Sequence, residues 1–147
     1  MGRHILTLTT TALVLAGCAT PPQTNKGFAS LIDTGWQLVE IQSSGGAVRP
    51  SDPIKYQIFL LGDGQLSLKL DCNRGTGKWT YMPVGNNQGS FTLSPAAMTR
   101  AACPAGSLEA QIARDVPRVR SYVMSGNRLD LALDANGGTY SWQRIPD

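Results

Sequence analysis

The chain has 147 residues, 41% hydrophobic and 16% charged, with a formal net charge of +3. That length supports one domain, and the composition is that of a globular protein rather than a membrane or disordered chain. The small charge excess lacks the clustered Lys and Arg of a nucleic-acid binder: Arg114, Arg118 and Arg120, beside Asp115, read as a solvated edge.

Arg3 and His4 form a short positive segment, followed by an apolar stretch over 5–16 that Thr7, Thr9, Thr10 and Thr11 dilute. A bilayer span needs about 20 apolar residues, so the stretch has the shape of a secretory signal instead. Leu15-Ala16-Gly17-Cys18 resembles the lipobox of bacterial lipoproteins. The resemblance implies cleavage between Gly17 and Cys18, with diacylglycerol on the Cys18 sulfur and a further acyl chain on the new amino terminus. Two or more chains make anchoring stable. Ala19 stands where an Asp would resemble an inner-membrane retention signal, so the expected place is the outer membrane, facing the periplasm. The expected partition is a signal peptide over 1–17, a lipidated flexible tether over 18–33 and a folded domain over 34–147. The tether reading rests on Pro, Gln, Thr, Asn and Gly without apolar period.

From Thr34 the pattern becomes short alternating runs. Trp36 with Leu38 opens the series, and Ile54, Tyr56, Ile58 and Leu60 continue it. Leu66, Leu68 and Leu70 share one face, as do Leu129, Leu131 and Leu133; Trp79 with Tyr81, Phe91 with Leu93, and Tyr140 with Trp142 supply further inward pairs. Gly62-Asp63-Gly64, Ser125-Gly126-Asn127 and Asn136-Gly137-Gly138 supply tight turns. Such short links imply antiparallel neighbours, because a parallel crossover needs a dozen or more residues.

One stretch reads as helix. Ser107 is placed to cap it, Glu109 lies in its first turn, Leu108, Ile112 and Val116 recur every four residues, and Pro117 stops it. About two turns are marginal alone, so the apolar stripe must pack on the strands. The expected class is α+β: a curved antiparallel β-sheet with one short α-helix in a single small disulfide-stapled domain.

With Cys18 taken by lipid, Cys72 and Cys103 remain as a pair in an oxidising compartment. A bond between them would close a loop of about 32 residues and contribute roughly 3–4 kcal/mol. The alternatives are weaker: zinc needs more ligands, and a thiol nucleophile usually needs a histidine base. The sole histidine, His4, would leave with the signal.

Around these cysteines the chain resembles the META domain, or HslJ-like, family. Thr34-Gly35-Trp36-Gln37-Leu38 resembles its opening strand, Cys72-Asn73 with Gly77 its Gly-Cys-Asn motif and downstream glycine, and Thr99 to Cys103 its Thr-x-Met-Ala-Cys segment. Glu109, Ile112, Val116, Val119, Tyr122 and 126–131 follow in order, so the likeness covers 34–145. Asp71 stands in place of the family glycine and Ala101 in place of its methionine. The resemblance implies an antiparallel α+β fold, a Cys72–Cys103 disulfide, and an exported protein linked to envelope stress, motility or surface properties. It supplies no reaction.

No catalytic, cofactor-binding or metal-ligating set emerges. Loss of His4 removes Ser-His-Asp and Cys-His arrangements. Gly75-Thr76-Gly77-Lys78 fails as a phosphate loop, because Cys72 occupies the first glycine position and Trp79 the Ser/Thr position. Asp134-Ala135-Asn136-Gly137 lacks the further ligands of a calcium loop. Carboxylate-only glycoside hydrolysis stays open, although the acidic residues are scattered. The expected function is a non-catalytic, lipid-anchored envelope protein, held to the membrane through Cys18 and supporting envelope integrity or stress response by binding a protein or envelope component. The alternative is a periplasmic inhibitor of a lysozyme-like hydrolase, for which Asn73-Arg74-Gly75 is the candidate plug.

Overall fold

The computed structural model describes residues 1–2 and 30–146. Cys18, the Gly17–Cys18 cleavage point and most of the expected tether lie outside the described residues.

The strands β1 (Thr34–Ser43), β2 (Gly46–Val48), β3 (Tyr56–Leu60), β4 (Gln65–Leu70), β5 (Asn73–Pro83), β6 (Gln88–Met98), β7 (Val119–Ser125), β8 (Arg128–Leu133) and β9 (Thr139–Arg144) form one antiparallel sheet. β1 pairs with β3 on one side and with β9 on the other, so eight strands close into a barrel. β2 is a short ribbon folded back on the end of β1. This corrects the expected α+β class: the fold is a mostly-β closed barrel carrying one short helix. Alternation reports which face of each strand is buried, and short turns report antiparallel neighbours. Neither reports that the first and last strands meet, which removes the exposed edges an open sheet would keep.

Within each strand the period-2 reading holds. Leu66, Leu68 and Leu70 are buried, as are Leu129, Leu131 and Leu133, Ile58 and Leu60, Phe91 and Leu93, and Tyr140 and Trp142. Burying one such aliphatic side chain contributes about 1.5–3 kcal/mol. Two residues depart from the pattern. Ile54 lies in a 3-10 turn over Pro53–Lys55 and is exposed, and Tyr81 continues past the barrel wall and is 40% exposed. Gly77 sits at a register shift between β5 and β6, where a β-carbon would lie 2.3 Å from the Ser94 carbonyl oxygen. Only glycine permits that approach.

The helix α1 (Glu109–Asp115) and the 3-10 turn Val116–Arg118 connect β6 to β7. β6 pairs with β7 only over 88–90 against 121–123, and the two strands then diverge. The helix segment fills that wedge with Ile112 and Val116, both buried. Leu108 occupies the position before the helix, one residue later than the expected cap. Ser107 Oγ nevertheless accepts from the Glu109 N–H at 3.2 Å.

The barrel therefore has two unlike rims. The entry rim holds the start of β1, the β3–β4 and β5–β6 turns and the end of β9. There Leu31 is buried, Thr34 Oγ1 donates to the Leu31 carbonyl (2.7 Å), and Trp36 Nε1 donates to Thr34 Oγ1 (2.7 Å). The helix rim holds α1, the start of β5 and the end of β8.

Candidate functional site

The cysteine motifs of the family likeness, Cys72-Asn73 and Thr99–Cys103, converge at the helix rim, while its opening motif over 34–38 lies at the entry rim. Cys72 and Cys103 are joined by a disulfide with their α-carbons 5.5 Å apart. Asn73 beside it is 1% exposed, and its amide is held on both sides. Nδ2 donates to the Ala101 carbonyl (3.1 Å), while Oδ1 accepts from Thr99 Oγ1 (2.8 Å) and from the Ala101 N–H (2.8 Å). Thr99 Oγ1 accepts in turn from the Arg74 N–H at 2.9 Å. A buried amide must be satisfied in this way or it destabilises the fold. The Cys72-Asn73 and Thr99–Cys103 segments thus form one clasp that fixes the chain leaving β6.

Asp71, which replaces the family glycine, adopts φ 56°. Asp tolerates this left-handed region better than most residues. Its N–H donates to the Lys55 carbonyl (2.7 Å) and its carboxylate pairs with Lys55 Nζ (3.6 Å). Ala101, in place of the family methionine, serves the clasp through backbone atoms alone. Arg74, offered by sequence as part of an exposed plug, folds back: its Nη1 donates to the Asp71 and Asn73 carbonyls, both at 2.8 Å.

Beside the clasp lies an open groove of about 580 Å³ between the end of β6 and α1. Ala96, Ala97, Ala101, Ala102, Ala110 and Ala113 make its walls small, with Arg100 and Glu109 adding opposite charges. The divergence of β6 from β7 opens this groove. Sequence reasoning missed it; the alanines at 110 and 113, spaced to share a helix face, were the available signal.

The arginines read as a solvated edge are only partly that. Asp115 is buried and accepts from Arg114 Nε (3.2 Å), Arg118 Nη1 (3.3 Å) and the Tyr140 hydroxyl (2.7 Å). Arg118 Nε also reaches Asp134 (3.0 Å), which Arg120 pairs on its other oxygen (3.1 Å). This network bolts α1 to β9 and to the β8–β9 turn. Burial, and then the hydrogen bond to Asp115, hold the Tyr140 hydroxyl well above the usual tyrosine range. A second hollow of about 430 Å³ lies on the outer wall over β1, β7, β8 and β9. Its carboxylates are already matched: Glu40 pairs with Arg49, and Asp130 with Arg128 and the Ser141 hydroxyl. Among the described residues, no group of three or more His, Cys, Asp or Glu is placed to hold a metal ion.

The class these features define is a small, mostly-β closed barrel, stapled at one rim by a disulfide and an asparagine clasp. The META domain model matches residues 29–145, and the chain belongs to the META domain family. Among solved structures, the fold is similar to the NMR structure of a protein from Burkholderia xenovorans. The TM-score is 0.61 at 21% identity, over 80% of this chain and 85% of that one. It is also similar to the crystal structure of a DUF4847 family protein from Bacteroides vulgatus ATCC 8482. There the TM-score is 0.53 at 11% identity, over 78% of this chain and 94% of that one. Comparison with curated proteins returns no match.

Proposed function

We propose that this META domain protein is a lipid-anchored module of the cell envelope that acts by binding a protein or envelope component, without catalysis. The observation that carries the binding reading is the alanine-walled groove between β6 and α1, held open by the clasp at its edge. A groove of that size with small walls and a few polar groups suits an extended segment or a small ligand. Its floor is rigid because the disulfide and Asn73 fix the strand that lines it. Anchoring is supported by the lipobox-like Leu15-Ala16-Gly17-Cys18, which would place the module in the outer membrane facing the periplasm.

The anchor, the groove and the absence of catalysis are tested separately. Intact mass of the mature protein carries the acyl chains on Cys18, and Cys18→Ser releases the folded domain from membranes; a mature protein without acyl mass removes the anchor. A photo-crosslinker at Ala97 captures an envelope component in cells, and Ala110→Arg, which fills the groove, abolishes that product. Crosslinking that persists unchanged in Ala110→Arg removes the groove from the function. Turnover of peptidoglycan, ester or glycoside substrates that survives repurification and vanishes on changing one Asp or Glu would refute the non-catalytic reading.

A further inference from the structure

The exposed large hydrophobic side chains of the domain are not evenly spread. Ile32, Leu61, Tyr81, Met82, Val84 and Val123 are all exposed, Met82 at 66% and Val84 at 62%. All six lie at the entry rim, by the pairing of Leu60 with Thr34, of Pro83 with Gly89 and of Val123 with Gln88. The helix rim carries Lys55, Arg100, Glu109, Arg114, Arg118 and Arg120, and among the described residues its exposed large apolar groups are Val48 and Ile54. The entry rim carries Asp33, Asp63, Lys78, Arg128 and Arg144 beside its six.

The entry rim is braced from within. The β3–β4 turn is tied to the segment entering β1, where the Gly62 N–H donates to Asp33 Oδ1 (2.6 Å) and Ile32 lies alongside. The Leu61 carbonyl accepts from Trp79 Nε1 at 2.9 Å, and Trp79 stacks on Tyr81 with ring centroids 5.5 Å apart. Tyr81 meets Tyr122 edge-on at 6.2 Å, and Met82 and Val84 extend the same hairpin outward. Six exposed apolar side chains gathered at one rim offer an interaction surface that singly scattered ones would not.

The chain's own direction names the occupant. The described domain begins at Ser30 on this rim, and Cys18 precedes it by twelve residues. Backbone geometry keeps Cys18 within about 40 Å of the rim however that segment runs. We infer that the entry rim is a membrane-facing surface, with Leu61, Tyr81, Met82 and Val84 resting at the headgroup–acyl boundary of the bilayer that holds Cys18. This rests on the lipid anchor of the proposed function and goes beyond it. Tyrosine favours that boundary because its ring is apolar and its hydroxyl polar. The tether makes even a weak contact effective, since it holds the rim at high local concentration beside the lipid. The charged helix rim and its groove are thereby turned away from the membrane, toward periplasmic partners.

The test uses full-length acylated protein in phosphatidylcholine vesicles with or without brominated acyl chains, which quench tryptophan at the boundary. Tyr81→Trp loses emission in the brominated vesicles relative to the parent protein, and Ile54→Trp on the opposite rim loses none. Adding Met82→Ser and Val84→Ser to the Tyr81→Trp protein restores the emission. Quenching equal at both rims, or absent from Tyr81→Trp while Cys18 carries its acyl mass, overturns the inference and leaves the anchor standing. Tyr81→Trp left unquenched in a protein that sediments as a dimer assigns the rim to a second copy and overturns it too. A Cys18 without acyl mass overturns both readings, and the mass spectrum distinguishes that outcome from failure of the rim alone.

Discussion

The two rims of the barrel are closed by different physics. At the entry rim, tryptophan and leucine side chains plug the opening, with a chain of two hydrogen bonds from Trp36 through Thr34 to the Leu31 carbonyl. At the helix rim the plug is a short helix that could not stand alone. It is held by a disulfide, by the Asn73 clasp and by a buried carboxylate shared between arginines and Tyr140. The apolar rim needs no special chemistry, because burial is non-directional. The polar rim needs every partner in place, because a buried polar group left alone destabilises the fold. This difference teaches why the cysteine and asparagine motifs sit together at one end: directional contacts constrain residue type far more than packing does.

The comparison can be broken at either rim. The largest effect is expected from Trp36→Ala, which empties a fully buried site and should lower unfolding free energy by about 3–5 kcal/mol, measured by urea denaturation. A loss below that of Cys72→Ala would mean that the entry rim relaxes around the cavity. Cys72→Ala should destabilise by roughly 2–4 kcal/mol and leave Cys103 open to alkylation in the native protein, read by mass. An unlabelled Cys103 would show that the clasp holds without its bond.

Tyr140→Phe removes one hydrogen bond to Asp115 and should destabilise by about 1–2 kcal/mol at neutral pH. It also has a pH signature. The folded state raises the Tyr140 pKa above its ordinary value of 10.0, while the unfolded chain ionises near that value. The unfolded state therefore holds fewer protons above pH 10, and stability falls as pH rises from there. Tyr140→Phe should flatten that alkaline fall. It should not abolish it, since burial and then the neighbouring Tyr81 raise Tyr122 as well. Identical alkaline slopes in the two proteins would show that Tyr140 does not carry the effect. The smallest expected effect is that of Val84→Ser at the exposed hairpin tip, within about 0.5 kcal/mol. A larger loss in the isolated protein would mean that the entry rim is already packed against something in solution.

Much of the local structure was legible beforehand. Leucines at 66, 68 and 70 and at 129, 131 and 133 announced their buried faces, and Ile112 and Val116 announced the inner stripe of the helix. The Cys72–Cys103 pairing and family membership followed from motif residues in order. Two local readings failed for local reasons. Ile54 continued the alternation on paper, but Pro53 set a 3-10 turn there. Arg118 looked like surface charge, because nothing nearby in the chain announces that Asp134 lies beside it or that Tyr140 reaches its partner Asp115.

What the sequence determined by itself was therefore everything that repeats at short range: strand faces, turns, the helix stripe and the motif that fixes the clasp. Tertiary structure alone decided that β1 meets β9, that β6 and β7 part to admit the helix, and that a groove opens where they part. Tertiary structure also gathered the scattered apolar tips from Ile32 to Val123 onto one rim. The reason is physical: alternation and turn residues act over a few positions, whereas closure depends on strand tilt and stagger summed around the whole barrel.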